Sequence, residues 1–391
     1  MRQALQSVSM NSMAIDRRAL LLGTLSFVGA AGLGARGGLA AEAADQAAFV
    51  AAARVDQGFA ILTLAHDGTV LRQVPLEARG HDIAIDRKNN RAVAFARRPG
   101  TFAVAFDLDG RREPIVFNAA EGRHFYGHGA FSADGRLLYV SENDIAAGRG
   151  VIGFYDAAAG FKKLGEMPSH GVGPHEIILL DDGRTLAVAN GGIDTVPEAG
   201  RAMLNLEDMK PNLAFVDALS GALLARHELP SDLNRLSIRH IAADAHGAVW
   251  FGGQWEGDLA ETPELIGRAS RDTPLRLIEP DVSQGLVLKG YIGSVAASGN
   301  GAIIGASAPK AGKILYIAAE SGFIIGESAL PDGCGIAGEA GEQFAVSSGM
   351  GTFRHELPCI GSVDETQPGA PRVLDERRLA SIAFDNHLRR I

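Results

Sequence analysis

Of the eleven histidines in this 391-residue chain, four share a register. His81, His128, His175 and His240 each stand immediately before an alternating apolar segment that opens a new repeat. Neutral imidazole is a ligand for iron, copper and zinc. Equivalent histidines that converge in space would therefore form a transition-metal site, with iron or copper as the expected ion. Tyr291 and Cys334 hold the matching place in the next two repeats, and the last has about Ala380 there. The plainer alternative is that these histidines are donors tying one repeat to the next. His124 and His170 lie a few residues upstream of His128 and His175, as outer partners, and His124 is also a candidate ligand. His387 falls past the end of its strand, in a hairpin turn, and is assigned to ring closure.

What must position these residues is a repeating β unit. An alternating strand followed by a glycine turn recurs at 60–64 before Asp67-Gly68 and at 102–106 before Asp109-Gly110. It returns at 151–155 before Gly160, 213–216 before Gly221 and 314–317 before Gly322. A second hairpin interleaves with it, around Asp134-Gly135, Asp182-Gly183, Gly247 and Gly301. Forty-nine glycines, against a usual share of ~7%, punctuate these turns, and almost no stretch has helical periodicity. The fold class is therefore all-β. Two hairpins per repeat of about 45–60 residues make a four-stranded blade, so the architecture is a seven-bladed β-propeller of the WD40/YVTN-like kind.

Repeats start near 81, 128, 175, 240, 291 and 334, with a seventh at 379–384. The last strand has no successors and the strands at 49–74 have no first strand, so the two ends complete one blade and close the ring. Six or eight blades, or a pair of β-sandwiches, are the alternatives. First strands line a propeller's channel, which places the four histidines together at its mouth.

Polar loops gather on the same predicted face. Glu142, Asn143 and Asp144 follow one repeat. Asn190 opens the longest insertion, which runs to about Pro211 and carries Asp194, and Gln254 and Glu256 follow another repeat. Glu142, Asn143, Asn190, Arg239 and Tyr291 are candidate cofactor contacts. The oxygen donors Glu142, Asn143, Asn190 and Asp194 suit a hard divalent ion, which supports a second expectation, a lactonase-like metal-dependent hydrolase. A third is a non-catalytic scaffold whose acidic surface docks a redox or transport partner. Nucleophile-elbow, Walker A, metalloprotease-helix and haem-attachment signatures are absent.

Residues 1–43 read as a twin-arginine signal and processing region, with Arg17-Arg18 before a weakly apolar run and Ala41-Glu42-Ala43 as a cleavage site. An uncleaved anchor is the alternative. Residues 44–391 are then one periplasmic domain with no membrane span. Export of an already folded protein itself points to a metal or cofactor. Net charge is −9, and about −11 without the signal, which excludes nucleic acid as a partner. Cys334 and Cys359 have the opportunity to pair in an oxidising periplasm.

Several motifs carry a resemblance. They are Phe125-Tyr126-Gly127-His128-Gly129, Ser141-Glu142-Asn143-Asp144, Gly173-Pro174-His175-Glu176, Ala189-Asn190-Gly191-Gly192-Ile193, Ser237-Ile238-Arg239-His240, Tyr291-Ile292-Gly293-Ser294-Val295 and Asp385-Asn386-His387. With these the chain resembles a family of twin-arginine-exported bacterial propellers classed as a domain of unknown function. It departs at Phe384, where the family has tryptophan. The resemblance implies a periplasmic propeller related to quinoprotein and lactonase-like folds. Family members are encoded beside imelysin-type iron-regulated proteins and haem proteins. This implies iron handling, with copper second, and periplasmic iron-handling or redox partners.

Overall fold

Where both faces of a sheet are covered, strands read as nearly continuous apolar runs, and the inner strands here do so. Phe102–Asp107 and Asn212–Asp217 are buried along their whole length, whereas outermost strands such as Arg372–Arg378 are mostly exposed. In the computed structural model, residues 46–391 are described, apart from 99, 197–199, 201–202, 262, 279–287 and 359–368. The expected signal at 1–43 and Cys359 lie outside the described residues.

The strands form seven four-stranded antiparallel sheets arranged as the blades of a β-propeller. We number the blades from the one that holds both chain ends. The inner strands of blades 2 to 7 are Gly80–Asp86, Arg123–Phe131, Pro174–Leu179, Leu236–Ala243, Ser294–Ala297 and Gly333–Gly338. The hydrophobic core is divided among the blade interfaces. One cluster packs Val50, Ile61 and Val74 of blade 1 against Ile83, Phe102 and Val104 of blade 2. Another packs Phe95 of blade 2 against Phe125, Leu138 and Tyr155 of blade 3. No described helix is long and apolar enough to cross a membrane.

Blade 1 is completed by the C-terminal strand, as the unmatched ends predict, with Ala383–Arg390 pairing against Ala47–Val55. Its position is a correction. The seventh first strand was expected at 379–384, but the chain turns there, with Ser381 at φ 66° and the Ile382 amide bonded to Leu379 O. The short apolar run imitated a strand, while the true strand is rich in polar residues because it faces the channel. His387 therefore lies within the strand, not in a turn.

Deleting 383–391 leaves Ala47–Val55 as an open edge and uncovers Phe49 and Ala51. The expected outcome is loss of a single cooperative thermal transition, followed by far-ultraviolet circular dichroism. A truncated chain that melts like the parent would contradict ring closure as a source of stability.

Candidate metal centre

The ladder between first and second strands slips at one depth in blade after blade. Gly80 pairs with Ala96 and Ile83 with Ala94, leaving His81 and Asp82 out of register. His128 lies in the slip between Phe125 and Gly129, His175 between Pro174 and Glu176, and His387 between Phe384 and Leu388. In blade 5 the slip is at Arg239, beside His240. A bulge bends its strand and re-aims the extra residue, so a repeated bulge aims repeated side chains at the axis. Gly127 takes φ 102°, and a Cβ there would stand 2.7 Å from the His81 ring.

Five histidines meet as a result. Ring centroids are separated by 4.7 Å for His81–His128, 4.7 Å for His128–His175 and 4.8 Å for His175–His240. His240–His387 at 4.7 Å, His387–His81 at 4.8 Å and His128–His387 at 4.9 Å complete a compact cluster. One nitrogen each from His81, His128 and His387 lie within 4.8 Å of one another, and the same holds for His128, His175 and His240. His128 belongs to both triads. All five rings are buried.

Carboxylates from neighbouring blades orient the rings. His128 Nδ1 donates to Asp82 at 2.9 Å, and His240 Nδ1 faces Glu176 at 3.3 Å. Such bonds fix the tautomer that turns Nε2 inward, as in carboxylate–histidine–metal arrangements. Asp385 stands 3.8 Å from His81 Nδ1 and is held by Arg79 and Arg97. Below, Arg389 donates to Asp82 at 2.7 and 2.6 Å and to Glu176 at 2.6 Å. Asp82 immediately follows His81 and serves the histidine of the next blade, and Glu176 after His175 does the same. After His128 comes Gly129, where a Cβ would stand 2.6 Å from Phe95 and 2.8 Å from Tyr139 O. No acid fits there, and among the described residues His175 has no carboxylate partner.

Burial, then the charges of His128 and Arg97, hold His81 well below its ordinary value. Burial likewise depresses His175 and His387, and it brings His240 down to about 4 against the pull of Glu176. These rings are neutral at pH 7 and offer lone pairs. His81 Nδ1, His128 Nε2, His175 Nδ1 and His387 Nε2 are buried without a hydrogen-bond partner. A buried polar atom left unpaired costs about 1–3 kcal/mol, so each of these nitrogens is open to a partner, be it water or a metal ion.

A pH prediction follows for protein stripped of metal by a chelator. The unfolded chain binds more protons than the native one below the ordinary histidine value of 6.5, so stability falls as pH drops from 6.5 towards 4. Each such histidine contributes about 1.4 kcal/mol per pH unit over that window. Melting temperatures between pH 7 and 4.5 check it, and a flat profile would refute neutral burial.

Above the ring the channel opens into a cavity of about 460 Å³. His81, His175 and His240 form part of its lining, together with Arg97, Arg98, Tyr126, Arg239, Gln254, Glu256 and Tyr291. Arg239 donates to Gln254 Oε1 at 2.5 Å, and the Tyr291 hydroxyl accepts from Asn386 at 2.5 Å.

Residues 74–391 match the family described as Protein of unknown function (DUF1513). The chain belongs to this family. No curated protein matches it. Among solved structures it is similar to the Pseudomonas aeruginosa periplasmic gluconolactonase PpgL, with TM-score 0.57 and 13% identity over 88% of this chain and 99% of that one. Hydrazine synthase of Kuenenia stuttgartiensis matches with TM-score 0.56 and 12% identity, over 83% and 90%. The β-propeller domain of Cps50 (Swd1) from Myceliophteria thermophila gives 0.55 and 13%, over 77% and 89%. These likenesses are of fold.

In this DUF1513 protein the expected residues divide into two groups. His81, His128, His175 and His240 come together, and Arg239 and Tyr291 line the cavity. Glu142, Asn143, Asn190 and His124 are engaged elsewhere. Glu142 accepts from Tyr155 at 2.5 Å and from Lys163 at 2.6 Å. Asn143 donates to Thr195 O, and Asn190 to Ser169 O and Asn212 Oδ1. The His124 ring faces Phe125 O and Thr195 O, and His170 bonds Gly221 O. Asn143 and His124 thus tether the blade 4 insertion. Cys334 occupies the blade 7 bulge, where its thiol donates to Asp385 O at 3.2 Å and burial pushes its pKa up.

Asp82, Glu176, Asp385, Arg389 and His387 are the functional residues that sequence reasoning missed. The legible signal was an acid directly after two of the four histidines. A further group, His66, Glu339 and His355, is a clasp between blades 7 and 1. His355 donates from Nδ1 to Glu339 at 2.5 Å and from Nε2 to His66 O at 2.7 Å, leaving no lone pair for a metal.

Proposed function

We propose that this protein is a periplasmic propeller, exported by the twin-arginine route, that holds a transition metal on its axial histidines as part of iron handling, with copper as the second candidate. One observation carries the metal reading: buried imidazole nitrogens approach one another in two triads that share His128, four of the rings carry a nitrogen without a partner, and carboxylates already orient two of the rings. His81, His128 and His387, or His128, His175 and His240, would hold the ion. A neutral all-imidazole set suits iron, copper, nickel or zinc, and geometry and availability decide among them. Iron and the periplasm rest on the family resemblance and on Arg17-Arg18.

The test uses the chain purified without a histidine tag, stripped, and titrated with Fe(II) under nitrogen and with Cu(II) and Zn(II). We expect about one tightly bound ion per chain and a raised melting temperature, since binding at a hundred times Kd adds ~2.7 kcal/mol. Trace metal only, with no thermal shift for any ion, would sink the reading.

A hydrolase reading, with the ion polarising a lactone carbonyl, draws on the likeness to gluconolactonase and on the cavity above the ring. Of its oxygen donors, Glu142 is held by Tyr155 and Lys163, the Oδ1 atoms of Asn143 and Asn190 are buried without a partner, and none of the three lines that cavity, which favours the metal-binding reading.

A further inference from the structure

The cavity above the histidine ring is cationic in a chain whose net charge is −9. Four of its lining side chains are basic, Arg97, Arg98, Arg239 and Lys310, against two acidic ones, Glu256 and Asp332. The basic groups come from three separate parts of the propeller: the turn after Arg91–Ala96 in blade 2, the inner strand of blade 5, and the loop after Ile303–Ala308 in blade 6. Their convergence is a product of the fold and not of a local run of charge. Arg97 is tied to Asp385, and Arg239 lies 3.5 Å from Glu256, so these cations are held in place. Lys310 is placed over the Tyr291 ring, with Nζ 5.2 Å from its centroid. The floor carries His81 Nδ1 and His175 Nδ1, both buried and without hydrogen-bond partners.

We propose that this cavity binds a small organic anion bearing two or more carboxylates, one of which reaches the ion on the histidine ring while the others meet Arg239 and Lys310. The size is right, since small-ligand sites run to about 300–1,000 Å³ and this one has about 460 Å³. A fixed set of donors and cations around a buried floor favours carboxylate over neutral ligands, and arginine matches its two oxygens in one plane. Three imidazole nitrogens leave open positions on a transition metal, which an anionic oxygen fills while offsetting the ion's charge. The protein then takes up a metal together with its carboxylate partner. This inference rests on the metal reading for its floor, while its rim stands on the cavity's own charges.

The experiment uses succinate, a dianion that chelates metals weakly, with uncharged succinamide as its isostere. Both are titrated calorimetrically into Co(II)-loaded and metal-free protein, and the visible cobalt bands are followed in the loaded form. We expect succinate to bind and shift the bands, succinamide to bind at least tenfold more weakly, both Arg239→Met and Lys310→Met to weaken succinate about tenfold, and Lys310→Met to leave cobalt content unchanged. Equal binding of the two compounds, or succinate binding untouched by either substitution, overturns the proposal. If cobalt does not load, the contact between a carboxylate and a ring-held ion is overturned, while the metal reading stands or falls on the iron, copper and zinc titrations. Succinate binding to the metal-free protein, weakened by the two substitutions, would still uphold the anion site, and its absence would remove that too.

Discussion

Replacing His128 with alanine should lower metal affinity by about 100-fold or more, beyond the 10–100-fold typical of losing an outer partner. His128 is the ring shared by both triads, so neither arrangement survives its loss. It is also fully buried and fixed by Asp82, which means that its Nε2 is presented without reorganisation. Asp82→Asn keeps the shape and loses the charge, and should cost about 10–100-fold through weaker orientation of the same ring. His124→Ala serves as the contrast. Its ring faces Phe125 O and Thr195 O, so affinity should stay within about threefold of the parent. Competition titration against a chromophoric chelator reads all three, with melting temperatures as a check on folding. A His128→Ala protein that binds as the parent does would end the axial-site reading.

The second large effect is expected at Arg389. Its guanidinium binds Asp82 twice and Glu176 once, joining blades 1, 2 and 4 across the channel. Both carboxylates are nearly inaccessible, whereas the arginine is 27% exposed. Arg389→Met removes the only cation described beside these two acids. Breaking a buried pair from one side costs about 3–5 kcal/mol, because a charge is left without a partner. The sign of the pH effect discriminates this from a packing defect. Burial opposes ionisation of Asp82 and Glu176, but Arg389 and the nearby histidines hold Asp82 well below its ordinary value and Glu176 at about 2. In the parent, their stabilisation is present above the ordinary carboxylate range and is lost only at acid pH, that of Glu176 as pH falls through about 2. In the variant the same acids lose their cation and take up protons on folding. Its stability deficit should therefore narrow as pH falls from 7 to 5. Urea denaturation of both proteins at the two pH values measures this, and a deficit independent of pH would mean that the arginine only fills space.

Four of the five axial histidines were legible because their register repeats with the strands. His81, His128, His175 and His240 recur at one place relative to an alternating segment, and a propeller turns equal register into proximity. His387 obeys the same rule but was hidden, since the apolar run at 379–383 imitates a strand while the true strand has Asp385-Asn386-His387 in its middle. A strand facing a polar channel loses the alternation by which strands are found. Glu142, Asn143, Asn190 and His124 showed the opposite failure. Polar residues at strand ends look alike whether they serve a ligand or tether a loop, and only their partners tell the two apart.

The sequence by itself determined the fold class, the blade count, the meeting of the two chain ends and the convergence of four histidines, because all of these follow from periodicity, which is local. Tertiary structure decided which carboxylate faces which imidazole, that Arg389 lies beneath them, and that basic side chains from distant blades ring one cavity. Those facts depend on bulges and on contacts between blades far apart in the chain. A shift of one residue in a strand register exchanges channel for core, and no local pattern records it.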